Sequence, residues 1–127
     1  MDTASVIALL YQLADDELVI GHRDSEWLGL APHIEEDVAF SSIAQDEVGH
    51  AALFFRLLEE LGQGRADDLA FLRPAGRRRN AVLLERPNGP GTYLDEPRFD
   101  WAYTVVRRLA YDLFDAIRLE VLCSSSY

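Results

Sequence analysis

Residues 43–57 read IAQDEVGHAALFFRL, and this stretch decides the fold class. Its apolar side chains recur every three or four residues, which is the spacing of one face of an α-helix. Glu47 and His50 lie on the stripe that joins Ile43 to Leu57. A carboxylate that faces a core is costly unless it is paired or bound to a metal ion. The stretch therefore predicts a core helix whose Glu47 and His50 side chains face the core.

The same spacing predicts three long helices, over residues 3–25, 34–61 and 99–123. Asp2 is a suitable N-cap for the first. Glycine and proline at 29–32 and at 62–64 separate the helices. The predicted core stripe of the first helix is Val6, Leu10, Leu13 and Ile20; that of the second includes Phe40, Ile43, Phe54, Leu57 and Leu61; that of the third is Val105, Leu109, Ala116 and Leu119.

The chain has 127 residues, enough for one domain. Between the second and third helices lies a long connector, which is typical of two helical hairpins joined by a crossover. We therefore predict an all-α protein with ferritin-like four-helix-bundle architecture, here an incomplete bundle of three long helices. Residues 1–127 are expected to be the N-terminal part of one ferritin-like domain.

Glu47 and His50 are three residues apart, so both can contact one metal ion from one side of a helix. Ferritin-like di-iron bundles combine such Glu-x-x-His pairs with single carboxylates from other helices. Glu17 and Asp112 interrupt the apolar stripes of the first and third helices in the same way. We predict a metal site made of Glu17, Glu47, His50 and Asp112, whose oxygen and imidazole donors suit iron or manganese.

A second interpretation stays open at this stage. The same inward carboxylates could form a polar network in the core without any metal, as in a degenerate bundle. His22 and His33 lie near helix ends and are expected at the surface. The run Arg77–Arg79 could hold the phosphates of a coenzyme A ester, because arginine forks fit phosphate, or it could be a solvated loop.

Composition excludes several classes of protein. The formal net charge is -10, so nucleic acid is not an expected partner, because phosphate binding needs a basic surface. No stretch has the roughly 18–20 apolar residues of a membrane span. The single cysteine, Cys123, cannot form an intrachain disulfide, which is typical of the reducing cytosol. We expect a cytoplasmic protein.

The motifs resemble those of one oxygenase family. Residues 44–51 (AQDEVGHA) and 17–21 (ELVIG) resemble the first two metal-ligand segments of the catalytic A subunit of phenylacetyl-CoA epoxidase. Similarity to the C subunit is closer along the length, at 23–29, at Ala31-Pro32 and at 83–89. Asp112 falls on an aspartate position seen in both subunits.

The resemblance implies a function. The family epoxidises the ring of phenylacetyl-CoA with oxygen and electrons from a reductase, and its A subunit holds a di-iron centre. The C subunit is mainly structural and pairs with A. We therefore expect an accessory C-type subunit whose partners are the catalytic A-type subunit, a second copy in a homodimer, or a coenzyme A thioester through the complex. Glu17, Glu47, His50 and Asp112 occupy ligand positions in this comparison.

The family continues into a fourth helix with a second Glu-Glu-x-x-His segment, and this chain stops at Tyr127. We therefore expect an incomplete di-iron centre and no catalysis by these residues alone. Three alternatives remain: a catalytic di-iron subunit, a metal-storage or peroxide-reducing ferritin relative, and a helical interaction module without metal.

Overall fold

The computed structural model of the chain describes residues 2–89 and 100–126. These residues form helices and turns, with no strand among them, which confirms the all-α prediction and fits a ferritin-like helical fold. They fall into two compact units, one of residues 2–85 and one that begins at Arg86. The prediction of one ferritin-like domain over 1–127 stays a prediction. None of the described helices is long and apolar enough to cross a membrane.

The described residues contain four α-helices: α1 (Thr3–Ser25), α2 (Ile34–Glu60), α3 (Ala66–Phe71) and α4 (Trp101–Cys123). Two 3-10 turns, Ala75–Arg77 and Val82–Leu84, lie in the connector after α3. The predicted bounds of α1 are confirmed, and those of α2 are correct to within one residue. Residue 99, where the third long helix was expected to begin, lies outside the described residues.

Helix α1 begins at a good cap. The Asp2 carboxylate accepts hydrogen bonds from the Ser5 backbone N–H at 3.0 Å and from the Ser5 hydroxyl at 2.8 Å. These bonds lower the pKa of Asp2 below its ordinary value, because they favour the charged form of the carboxyl group. The predicted N-cap is confirmed.

Helices α1 and α2 pack against each other and form the main core of the first unit. Residues from the start of α1 meet residues from the end of α2, so the two helices run antiparallel. All four residues of the predicted α1 stripe are buried. Short α3 covers the same cluster, whose buried members are Val6, Leu10, Ala14, Ala51, Phe55, Leu58, Leu69 and Ala70.

Phe40 of the predicted α2 stripe is buried as expected, but from residue 43 onward the stripe is displaced by one residue. Ala44, Ala51, Phe55 and Leu58 are buried, whereas Ile43, Phe54 and Leu57 are only half-buried. The small side chains of Ala44 and Ala51 let α1 approach α2 closely, and close approach takes these positions to the centre of the interface. The predicted stripe was chosen by large apolar residues, so it missed the alanines at the centre of the α1–α2 interface.

The connector after α3 is tied to α1 by two buried carboxylates. Asp15 accepts a hydrogen bond from the Arg79 backbone N–H at 2.8 Å and forms ion pairs with Arg73 and Arg78. Its neighbour Asp16 accepts a hydrogen bond from the Ala81 backbone N–H at 2.6 Å. A buried charge needs such partners, so these two residues determine the course of the connector.

Helix α4 belongs to the second unit. Its N-cap is Asp100, whose carboxylate accepts a hydrogen bond from the Tyr103 backbone N–H at 2.9 Å. Its buried residues are Thr104, Arg107 and Tyr111. The Arg107 guanidinium donates to the Arg86 carbonyl oxygen at 3.0 Å and to the Asn88 side chain. The side of α4 that carries Arg107 is therefore the side that contacts the preceding segment, at Arg86 and Asn88.

The predicted core stripe of α4 is wrong. Val105, Leu109, Ala116 and Leu119 are all exposed. Within the second unit, the hydrogen bonds of Arg107 turn the opposite side of the helix inward.

The buried contacts of Asp15 generate a stability prediction. The change Asp15→Ala leaves two partly buried guanidinium groups and one N–H without their acceptor, so we expect a loss of roughly 3–5 kcal/mol in the free energy of unfolding. Asp46→Ala, at an exposed position on α2, is the control and should change it by less than about 0.5 kcal/mol. Urea unfolding of both variants measures the difference. Equal losses would show that the connector is not held by Asp15.

Candidate metal site

Two helices bring three of the four predicted ligands together. Glu17 comes from the middle of α1, and Glu47 and His50 come from one face of α2. One potential ligand atom from each residue lies within 4.8 Å of the others. The His50 Nδ1 atom is 3.4 Å from Glu17 Oε2 and 3.7 Å from Glu47 Oε2. The predicted juxtaposition of these three side chains is present in the structure.

The three side chains differ in their access to water. Those of Glu17 and Glu47 are only 4% and 9% exposed, whereas that of His50 is 58% exposed. The expectation that His50 interrupts the apolar face is therefore wrong: the α2 face is displaced by one residue, which moves position 50 to the rim. The group has a buried carboxylate side and a solvent-facing imidazole side.

Gly21 sets the spacing between the two helices at this site. A Cβ atom added there would lie 3.0 Å from Val48 Cγ2, 3.1 Å from Glu47 Cβ and 3.2 Å from the Ala44 carbonyl oxygen. Only a residue without a side chain allows α1 to come this close to α2. The close approach brings Glu17, one turn before Gly21, next to Glu47.

The similarity of this chain to known proteins extends along its whole length. A family described as "Phenylacetic acid catabolic protein" matches residues 1–127. The chain belongs to this family. It is also 41% identical, over 83 residues, to the C subunit of 1,2-phenylacetyl-CoA epoxidase from Escherichia coli (strain K12). The match covers 65% of this chain and 34% of that relative, so the chain spans about a third of the relative's length. The resemblance to the C subunit is confirmed.

The donor set of these three residues fits a divalent metal ion. Two buried carboxylates so close together repel each other, and a cation between them removes that repulsion. Carboxylate oxygen and imidazole nitrogen are the ligands that iron and manganese accept in ferritin-like bundles. Glu17, Glu47 and His50 therefore have the chemistry of a metal site, while their role as ligands stays a prediction.

Asp112, the fourth predicted ligand, lies on α4 in the other compact unit. Its side chain is half exposed and forms an ion pair with Arg108, with 2.8 Å between Oδ1 and Nη2. The expectation that Asp112 points into a buried apolar stripe is wrong, because that side of α4 is exposed. Its role as a metal ligand stays a prediction.

The run Arg77–Arg79 divides between two roles. Arg78 turns inward, where it reaches Asp15 and donates to the Ala70 carbonyl oxygen at 2.6 Å. Arg77 and Arg79 remain exposed. Periodicity could not separate them, because the run lies outside any long helix. His22 and His33 are exposed, as expected.

Gly21 and Gly49 form a matched pair for testing the close approach. Gly21→Ala gains up to about 1 kcal/mol of helix propensity but crowds three neighbours, at a cost of roughly 1–3 kcal/mol. We expect a net loss of about 1 kcal/mol in the free energy of unfolding. Gly49→Ala, with nothing within 4 Å of the added Cβ, should instead gain about 0.5–1 kcal/mol. Thermal or urea unfolding distinguishes the two, and a gain in both variants would contradict the close approach.

Proposed function

We propose that this chain is part of the accessory C-type subunit of a cytoplasmic, multicomponent phenylacetyl-CoA epoxidase. The observation that carries this proposal is the family match over residues 1–127, together with 41% identity to the C subunit of an epoxidase. The proposed substrate of the whole complex is the coenzyme A thioester. The proposed partner is its catalytic A-type subunit.

We further propose that Glu17, Glu47 and His50 hold an iron ion. In the catalytic alternative described below, the bound iron would also supply a centre able to activate dioxygen. The support for this proposal is the cluster of three donor atoms within 4.8 Å of one another on two packed helices.

The residues of the chain have separate tasks in this proposal. Glu17 and Glu47 provide negative charge in a region from which water is largely excluded, where their attraction for a cation is strongest. Gly21 keeps α1 and α2 close, so that these carboxylates stay side by side. His50, at the exposed rim, can bind the ion through a ring nitrogen.

A catalytic di-iron subunit is the second candidate. It is favoured by the Glu-x-x-His pair on α2 and by the buried carboxylate that α1 adds to it. A metal-storage or peroxide-reducing relative would use the same donors but would oxidise ferrous iron without a coenzyme A substrate. An interaction module would keep the donors as a polar network only. Metal content and pairing with the A-type subunit separate these functions.

Metal binding is the first test. Anaerobic addition of Fe²⁺ to the metal-free chain should raise its melting temperature, because an ion that binds only the folded state stabilises it. Glu47→Gln removes a charged ligand at almost constant volume, so the shift should disappear. Plasma mass spectrometry of the desalted protein should give the matching iron content.

Asp46→Asn provides the control for this test, because Asp46 is the exposed neighbour of Glu47. This variant should keep the full shift. If the wild-type chain and Asp46→Asn both fail to bind iron, the inward carboxylates are a polar network. Binding that survives Glu47→Gln would place the iron elsewhere in the chain.

Pairing is the second test. When the chain is co-expressed with a tagged A-type subunit, we expect both to purify together at equal amounts. An accessory role predicts that the double variant Glu47→Gln/His50→Gln pairs as well as the wild type, because its contribution is structural. Ring epoxidation by the reconstituted complex is the second readout.

An unrelated tagged helical bundle of similar size controls for capture through exposed apolar side chains. Pairing that remains intact while epoxidation falls at least about tenfold in the double variant would favour the catalytic candidate. Failure to pair with the A-type subunit, with self-association instead, would replace the proposed partner with a second copy of the chain.

A further inference from the structure

A cleft of about 890 Å³ lies within the first unit, away from the candidate metal site. Glu17, Glu47 and His50 are not among the residues that line it. Four arginines are, and they come from the segment that joins α2 to α3 and from the connector after α3: Arg65, Arg73, Arg77 and Arg79. Tyr11 of α1 also lines the cleft. The cleft therefore concentrates positive charge on a chain with a formal net charge of -10.

The wall of the cleft is built by contacts inside the unit. Arg73 lies over the Tyr11 ring, 4.8 Å from its centroid, and its Nη1 donates to the Arg77 carbonyl oxygen at 3.2 Å. The Asp15 carboxylate holds the Arg79 backbone N–H and turns Arg78 inward. With the backbone fixed at these points, the exposed residues Arg77 and Arg79 both line the cleft.

Three of the four guanidinium groups are available to a ligand. Arg73 is committed to Asp15, but Arg65, Arg77 and Arg79 form no ion pair with a carboxylate across residues 2–89 and 100–126. Asp68 is the acidic residue among those that line the cleft. These three arginines are exposed, so their guanidinium groups can reach an anion that enters from solvent.

We infer that this cleft is an anion site that binds a phosphate group, such as that of a small phosphate ester. Guanidinium forks match the oxygens of phosphate, which places two negative charges on one group. Three guanidinium groups around one cleft suit such concentrated charge better than carboxylates spaced along a peptide. The volume lies within the range of small-molecule sites. A coenzyme A thioester carries such phosphate groups, so the inference deepens the proposed function and rests on it for the identity of the ligand. It holds whether or not iron binds.

Calorimetric titration with inorganic pyrophosphate, at low ionic strength and with EDTA present, tests the site. The full chain should bind pyrophosphate, and added salt should weaken the binding. Arg77→Gln and Arg79→Gln should each raise Kd by about tenfold, the typical effect of losing a charged hydrogen bond. Arg78 is left unchanged, because its loss would disturb the contacts of Asp15.

Arg56→Gln is the matched control, because it removes one positive charge at an exposed position outside this cleft. Its Kd should stay within about twofold of the wild-type value, as is usual for an uninvolved surface change. Equal weakening by Arg56→Gln would mean diffuse attraction and would overturn the site. Absence of pyrophosphate binding would also overturn it. Melting curves of all variants confirm that each is folded.

Two further ligands identify the source of the phosphate. Tighter binding of ADP than of pyrophosphate would support a nucleotide ester, and equal binding would support recognition of the phosphate group alone. A polyglutamate peptide that binds where pyrophosphate does not would overturn the inference in favour of an acidic protein segment. Pyrophosphate binding should persist in Glu47→Gln, so the iron proposal and this inference fail separately.

Discussion

The burial of carboxylates along α1 is the constraint on which the first unit depends. Asp15, Asp16, Glu17 and Asp24 are all almost completely buried. A charge removed from water costs several kcal/mol unless other groups compensate for it. The connector meets this need at Asp15 and Asp16 with guanidinium groups and backbone N–H groups. At Glu17 the neighbours include a second carboxylate, that of Glu47, and the imidazole of His50.

Local pattern was sufficient to predict the helices and the inward direction of Glu17 and Glu47. Periodicity reports which residues share a face, and the spacing of three between Glu47 and His50 places them on one side of α2. It did not predict how α2 is rotated, because that depends on the close contact of Gly21 with Ala44. The same contact leaves His50 on the rim, so the exposure of the imidazole could be known only from packing.

Two features could not be predicted from the sequence: the contacts of the connector with α1 and the buried side of α4. Arg73 and Asp15 are separated by 58 residues, and a pair so distant leaves no periodic signal. In α4 the apolar stripe was correctly seen as a stripe, yet the buried side is the one that carries Thr104 and Arg107. Hydrogen bonds from Arg107 to Arg86 and Asn88 determine which side of α4 is buried, and the hydrophobic pattern gives no information about these bonds.

The glycine contact between α1 and α2 also determines how the three-residue group could adapt to ions of different radius. The space between the helices at Gly21 is too small for a Cβ atom unless its neighbours shift, so there is little room for closer approach around a small ion. The carboxylates sit on side chains confined by the core, whereas the His50 ring is surrounded largely by water. Adjustment to ionic size would therefore be made by rotation of one imidazole, and discrimination between similar divalent ions would be weak on this side of the bundle.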